Sequence, residues 1–320
     1  MMNTNTMNVK HKTIDFDTVC ERVTFITDTE VTTKIDAFNQ YRVHNVERFS
    51  EYGLSTLGKT VGFPAPFIRK VHETNPALAN TVVKDRVNEY FKKDAPEFFT
   101  REFGGQICGV VSNKYAYFDD NQVIDIISDS PLTKMGFQNA IITPERLHLR
   151  AIDVDNPFTI GNDDSQLYFA YFIDNSMVGQ SSFKVQLGIY RLACTNGMIV
   201  PMREFVICRQ VHRGTKDIAA EFNESVAFLA EKQEDIKALI TGMASEDATI
   251  ATLQAEFRED YIAKKLNTSK KETEKIFQLY ETVYDGHSKW GMANAITEFA
   301  RDLKDINRRE YIERAAFRAA

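Results

Sequence analysis

Basic residues gather between Ser181 and Lys216, in a chain whose formal net charge is −6. The segment holds six basic side chains and one acid, Glu204. Lysine and arginine bind nucleic-acid phosphates whatever the base sequence, and this binding weakens as salt rises. The segment therefore predicts a phosphate-binding groove, and the alternative is a solvated sheet face. The candidate nucleic-acid-binding residues are Lys184, Arg191, Thr195, Asn196, Arg203, Arg209 and Arg213.

Aromatic side chains beside these cations indicate which nucleic acid the groove would prefer. Phe183 and Tyr190 could stack on unpaired bases, which predicts a preference for single strands, single-stranded DNA first. Neighbouring side chains on a strand point to opposite faces, so Phe183 and Lys184 cannot line the same surface.

Acidic residues near predicted hairpins offer a second kind of chemistry. Asp153 and Asp155 are two residues apart at the end of a predicted strand, so both carboxylates project to one side. With His148 and Asp174 they could form the divalent-metal site of a nuclease. The alternative is a polar strand end before Asn156. The usual phosphate-loop, zinc-protease and serine-hydrolase motifs are absent from the sequence, and no cofactor is expected.

The cysteines are too scattered to predict a zinc site or a disulfide framework. Cys20, Cys108, Cys194 and Cys208 include no pair separated by two residues. Cys194 is a catalytic thiol only if a base or a cation lies beside it, and otherwise it is a small apolar core residue.

A β-hairpin should position the basic segment. Residues 168–173 and 183–192 are rich in aromatic and β-branched types, which favour strands. Asn175, Ser176 and Gly179 supply turn chemistry between them. The Asn196-Gly197 pair predicts a tight turn after the second strand.

Helices should surround this β-rich centre, which makes the fold class α+β. Helical spacing predicts helices over residues 46–91, with a turn at 62–66, and one long amphipathic helix from Ile218 to Ile240. Strands are expected on both sides of Gly104-Gly105, followed by a helix over 121–128 capped by Asp119 or Asp120. The predicted regions are a disordered tail at 1–13, a mostly helical N-terminal region at 14–97, a mainly antiparallel β unit with a packed helix at 98–216, and a helical C-terminal region at 217–320.

Four segments resemble one protein family. They are Leu57–Pro66, Val110–Asp119, the stretch from Asn175 to Gly197, and Asn294–Phe299. The third carries Asn-Ser-x-x-Gly and then Arg-Leu-x-Cys-Thr-Asn-Gly, and it resembles the hallmark of domain of unknown function 932. That family is found in phages and plasmids and has no established chemistry. The resemblance implies a mobile-element protein, and its Leu57–Pro66 segment resembles a helix-turn-helix, which suggests DNA readout or simple helix packing.

Composition bounds the remaining choices. The chain has 320 residues, of which 43% are hydrophobic and 26% are charged, as in an ordinary globular protein. No window approaches the roughly 18 apolar residues of a membrane span, and the N-terminus lacks a secretory pattern, so we expect a cytoplasmic protein of the host cell.

Three functions fit these observations. The first is binding of nucleic acid by a phage or plasmid protein, with annealing of single-stranded DNA in recombination as its role. The second is a non-enzymatic assembly or host-interaction protein that uses the helical C-terminal region, where self-association is also expected. The third is a metal-dependent nuclease. Trp290 should anchor a C-terminal helix to the core, because a large apolar ring in a helical segment is usually buried.

Overall fold

The computed structural model describes residues 13–35, 40–93, 96–115, 118–160, 163–191, 196–199, 218–284 and 286–320. These residues form helices and two antiparallel sheets, which confirms the α+β class. The first sheet has three strands and the second has six. Residues 1–12 of the predicted tail lie outside the described ranges. No helix of the described part is long and apolar enough to cross a membrane.

The smaller sheet packs with the N-terminal helices. Its strands run in the order β1-β2-β3, and its core includes Phe49, Leu54 and Ile107. Helix α3 lies so close to β3 that a Cβ on Gly53 would be 2.2 Å from the Ile107 carbonyl oxygen. The elements are α1 (Phe16–Thr27), β1 (Glu30–Lys34), α2 (Gln40–Val43), α3 (Glu51–Val61), α4 (Ala65–Thr74), α5 (Pro76–Phe91), β2 (Phe98–Phe103) and β3 (Gln106–Ser112).

The larger sheet runs in the order β4-β5-β7-β8-β9, and β6 pairs with β7. Its strands hold the β-branched and aromatic residues that fill pleated surfaces well. The predicted β7–β8 hairpin is confirmed, because Tyr168 to Ile173 pair in register with residues of β8. The elements are α6 (Asp120–Ser128), β4 (Gly136–Thr143), β5 (Arg146–Ile152), β6 (Phe158–Ile160), β7 (Asp163–Asn175), β8 (Lys184–Arg191) and β9 (Asn196–Ile199).

The turn between β7 and β8 explains the Asn-Ser-x-x-Gly pattern. The Ser176 hydroxyl donates to the Glu145 carbonyl at 2.7 Å and accepts from the Gln180 amide at 2.8 Å. Gly179 has φ +82°, which L-residues with side chains rarely adopt. These residues therefore fix the shape of a turn that packs against the smaller sheet.

Two details of the β prediction differ from the structure. Strand β2 pairs with β1 on one side and with β3 on the other, and neither β2 nor β3 joins the larger sheet, so the smaller sheet crosses the expected boundary at residue 98. Asn196 and Gly197 lie in β9, opposite Arg191 and Tyr190, and not in a turn. The preference of the Asn196-Gly197 pair for a turn is overridden here because its backbone pairs with strand β8.

The C-terminal region is helical as expected, but the single long helix predicted from Ile218 is wrong. It is two helices that meet at Lys232. The first contacts β8 and the second contacts β6, so the break lets two apolar stripes cover different strands. Trp290 is buried at the start of α11, which confirms its anchoring role. The helices are α7 (Ile218–Glu231), α8 (Gln233–Ser245), α9 (Ala255–Leu266), α10 (Lys270–Thr282), α11 (Lys289–Arg301) and α12 (Ile306–Ala319).

Candidate functional site

A row of ionisable side chains crosses three strands of the larger sheet. His148 on β5 is the register partner of Asp174 on β7, which is the partner of Lys184 on β8. Directly opposed residues share one face of a sheet, so these three side chains meet. His148 Nδ1 lies 2.7 Å from Asp174 Oδ1, and Lys184 Nζ lies 3.2 Å from Asp174 Oδ2.

The last helix completes this group. Arg146, His148 and Arg150 alternate along β5, so all three project from the same face. Arg146 donates to Asp174 at 2.7 Å and also contacts Glu310, while Arg150 pairs with Glu313. We call the whole group the charged cluster. Its members are Arg146, His148, Arg150, Asp174, Lys184, Arg309, Glu310, Glu313 and Arg314.

Cations outnumber carboxylates in the charged cluster. Its five lysine and arginine side chains face three carboxylates, which leaves an excess of two positive charges when His148 is neutral. Arg150 and Arg309 share one carboxylate, that of Glu313, and the Arg309–Glu313 contact is 3.1 Å. Burial and the nearby charge of Arg150 lower the pKa of the Arg309 guanidinium. Like charges are therefore held together at this end of the cluster.

The cations of the charged cluster also lower the pKa values of two of its carboxylates. Burial opposes ionisation of Asp174, but His148, Lys184 and Arg146 together hold the pKa of its carboxyl well below the usual range. Burial and Asp174 also oppose ionisation of Glu310, yet its surrounding cations keep its pKa below the usual value. Both carboxylates are therefore ionised at neutral pH, and the excess of positive charge remains.

Several donors of the charged cluster have no hydrogen-bond partner among the described residues. The Nε and Nη1 atoms of Arg150 and the Nε atom of Arg146 are buried and unsatisfied. Arg150 is 1% exposed and lines a cavity of about 10 Å³, which holds roughly one water. Leaving a buried donor unpaired costs on the order of 1–3 kcal/mol, so these groups are poised for an acceptor.

The charged cluster also contains a set of metal-ligand types. Ligand atoms of His148, Asp174 and Glu310 all lie within 4.8 Å of one another. Of the four residues expected to form a nuclease metal site, His148 and Asp174 lie together, whereas Asp153 and Asp155 do not belong to this group. Asp153 instead accepts from Asn156 Nδ2 at 2.9 Å, as the strand-end interpretation predicts.

The basic residues expected to line one groove separate in the structure. Lys184 belongs to the charged cluster, where it pairs with Asp174 and Glu310. Arg191 is an odd number of residues away on the same strand, so it faces the other side. It donates to Ser165 Oγ at 2.7 Å and lies over the Tyr284 ring. The predicted residues Thr195, Arg203, Arg209 and Arg213 lie outside the described part of the chain, as does the side chain of Asn196.

The aromatics expected to stack on bases are in the core. Phe183 and Tyr190 are both 0% exposed. Phe183 packs against Phe118 and Phe222, and the Tyr190 hydroxyl accepts from Gln138 at 2.7 Å. The expectation of base stacking by these two rings is therefore wrong, because both side chains are used to fill the core. Cys194 and Cys208 lie outside the described residues.

Sequence reasoning missed the part of the cluster that α12 supplies. Glu310 and Glu313 are three positions apart on α12 and face the sheet. No pattern in the sequence indicates that they pair with residues of β5. The alternation of Arg146, His148 and Arg150 between leucines was a usable signal. Three ionisable residues on one strand face predict either a solvated face or a partner of opposite charge.

Comparison with known proteins gives one match. Residues 107–317 match the family described as domain of unknown function (DUF932). The match covers the larger sheet, the charged cluster and most of the C-terminal helices, and it does not reach the Leu57–Pro66 segment. No curated protein and no solved structure matches the chain significantly. Because the match spans well over half of its residues, the chain belongs to the DUF932 family.

Proposed function

We propose that this chain binds nucleic acid, single-stranded DNA first, through phosphate contacts at the charged cluster. Its setting is recombination by a phage or plasmid in the host cytoplasm. One observation carries the proposal: Arg150 and Arg309 converge on the single carboxylate of Glu313, while buried N–H groups of Arg150 have no acceptor in the part of the chain that the structure describes.

A phosphate at the rim of the charged cluster would offset the excess of positive charge, although the cavity of about 10 Å³ at Arg150 admits a water and not a phosphate. Its oxygens accept hydrogen bonds from guanidinium groups in a geometry that often uses two N–H donors together. Its negative charge would also counter the two effects that lower the pKa of Arg309, which are burial and the nearby charge of Arg150. A neutral ligand would supply acceptors but leave the charge excess in place.

Three cations of the charged cluster can be reached from solvent. The side chains of Lys184, Arg309 and Arg314 are 12%, 15% and 26% exposed, whereas Arg150 is 1% exposed. A phosphodiester backbone could therefore contact these three at the rim, and Arg150 would act through the small cavity behind them. The preference for single strands stays a prediction, since the expected stacking rings are buried.

The test is binding of the purified full chain to fluorescent single-stranded DNA, duplex DNA and single-stranded RNA, followed by anisotropy over a salt series. Affinity should fall steeply as salt rises. In an Arg309→Gln/Arg314→Gln variant the salt slope should flatten by about 1.4, which is the loss of two single-strand phosphate contacts.

A matched variant removes the same charge elsewhere. Arg22 on α1 and Arg86 on α5 are exposed and are not members of the charged cluster, so Arg22→Gln/Arg86→Gln controls for net charge. Both variants should melt near the wild-type temperature. If the protein binds none of these nucleic acids at low salt, the proposal is wrong. If the two variants change affinity and salt slope equally, the charged cluster is not the binding site.

A metal-dependent nuclease is the second candidate, favoured by the spacing of His148, Asp174 and Glu310. Arg146 and Lys184 already occupy both carboxylates, so a divalent cation would add to an excess of positive charge. This makes an anion the better ligand. Addition of Mn²⁺ or Mg²⁺ to the binding assay decides between them: metal-dependent strand cleavage that is lost in Asp174→Asn would favour the nuclease.

A further inference from the structure

A larger polar pocket lies beside the charged cluster. Its volume is about 360 Å³, within the range of small-molecule sites. It is lined by residues of α3, α4, the β4–β5 turn, the turn after β7 and the segment that begins α12. The lining residues are Glu51, Tyr52, Ser55, Ala65, Pro66, Arg69, Glu145, Gln180, Asp305 and Asn307.

One hydrogen bond joins the polar pocket to the charged cluster. Asn307 lines the pocket, and its side-chain oxygen accepts from Arg146 Nη1. Asp305 caps α12 through the amides of Asn307 and Arg308, so the same helix start forms the pocket wall and carries Glu310. A ligand that extends from the polar pocket to the charged cluster would therefore contact α12 at both sites.

Hydrogen-bond acceptors dominate the pocket. Glu51, Glu145 and Asp305 bring three carboxylates, and Gln180 and Asn307 add amide groups. The one guanidinium in the lining, that of Arg69, donates to the Phe49 carbonyl at 3.0 Å. Its surroundings therefore favour a ligand that presents several N–H donors.

Tyr52 and Pro66 give the pocket apolar surface beside those acceptors. Burial, with Glu145 nearby, raises the pKa of the Tyr52 hydroxyl to about 12, so this group stays protonated. A flat ring that carries N–H donors on its edge suits such a lining. Nucleobases in single strands can be turned out of a stack and read by hydrogen bonds on this edge.

We propose that the polar pocket holds one unpaired base with an exocyclic amino group, from a strand whose phosphates lie on the charged cluster. This inference rests on the proposed function. The amino groups of cytosine, adenine and guanine can donate to a carboxylate. Thymine and uracil have no amino group; their single N3–H donor lies between two carbonyl oxygens, which a carboxylate would repel. The pocket should therefore discriminate against thymine and uracil.

The test compares the full chain on oligo(dC), oligo(dA) and oligo(dT) of equal length, by anisotropy at one salt concentration. We expect oligo(dC) and oligo(dA) to bind at least about fivefold more tightly than oligo(dT). Fivefold is about the smallest discrimination in affinity that one specific base contact provides. In Glu145→Gln and Glu51→Gln variants this preference should shrink, because loss of a carboxylate weakens the contact with the amino groups of cytosine and adenine and relieves the repulsion of the thymine carbonyl.

The control is Glu73→Gln, which removes the same charge from an exposed position on α4 outside the pocket. Equal binding of the wild type to all three oligonucleotides overturns the base pocket and leaves the proposed function standing. A preference that survives both pocket variants also overturns it. Failure to bind any of the three, dT included, removes the proposed function and this inference with it.

Discussion

The side-chain amide of Asn175 donates to the Asp120 carboxylate over 2.8 Å, and both side chains are 1% exposed or less. The same amide donates to the Phe118 carbonyl at 3.0 Å. Asp120 is the first residue of α6, so this contact fixes the start of the helix to the end of β7. The asparagine of the Asn-Ser-x-x-Gly pattern thus has a structural role.

The burial of Asp120 predicts a pH-dependent stability. Burial raises the pKa of Asp120 to about 7, above the value of about 3.9 expected in the unfolded chain. Between these values the folded protein binds the extra proton, so the contribution of Asp120 to stability falls as pH rises from about 4 to about 7. Above about pH 7 the folded state carries the full cost of a buried carboxylate.

Asp120→Asn should remove this dependence. The asparagine keeps an acceptor for the Asn175 amide and adds a donor at a place where Asp120 Oδ2 and Asn175 Oδ1 both lack partners within the described ranges. Near pH 8 we expect the variant to be more stable by up to a few kcal/mol. Urea denaturation of both proteins over this pH range measures the difference. Parallel stability curves would show that Asp120 is ionised throughout.

Removing one partner of the Arg150–Glu313 pair should destabilise the protein strongly. Replacing both partners by apolar residues should destabilise it less. Both side chains are at most 1% exposed. Glu313→Leu alone leaves the buried Arg150 charge unpaired, and we expect a loss of about 3–5 kcal/mol. Arg150→Met with Glu313→Leu should cost less than the two single changes added together. Urea midpoints of the four proteins in this cycle test it, and simple additivity would contradict a coupled pair.

Trp290→Ala should destabilise the protein by about 3–5 kcal/mol, because the ring is 4% exposed in the main core. Tyr311→Ala is the comparison, since that ring on α12 is 48% exposed. Its loss should change stability much less. Thermal and urea melts of the two variants are sufficient, and similar losses would show that burial does not set the cost.

Arg191→Ala should leave nucleic-acid affinity near the wild-type value. Arg191 donates to Ser165 and faces away from the charged cluster, so its loss should cost about 1 kcal/mol of stability instead. Lys184→Ala, on the cluster side of the same strand, is the matched change and should weaken binding. Anisotropy with the same oligonucleotide compares them. A larger loss of affinity for Arg191→Ala would place the binding face on the opposite side of the sheet.

Local pattern was sufficient for much of the fold. The strands around Gly104-Gly105, the helix capped by Asp119, the helices before Phe91 and the β7–β8 hairpin are all set by neighbours in sequence. Turn residues, caps and apolar periodicity act over a few residues, so they can be read without knowing the fold.

The candidate site depended on contacts between distant parts of the chain. Arg150 and Glu313 are 163 residues apart, and Arg146 and Glu310 are 164 apart. Sequence alone shows that β5 carries three ionisable residues on one face, but it cannot show that α12 covers that face with carboxylates. Alternation along the predicted strand already places Lys184 and Arg191 on opposite faces, but it does not show which of these faces α12 covers. Only tertiary packing decides which charges are buried together, because burial and pairing depend on what the fold places opposite each side chain.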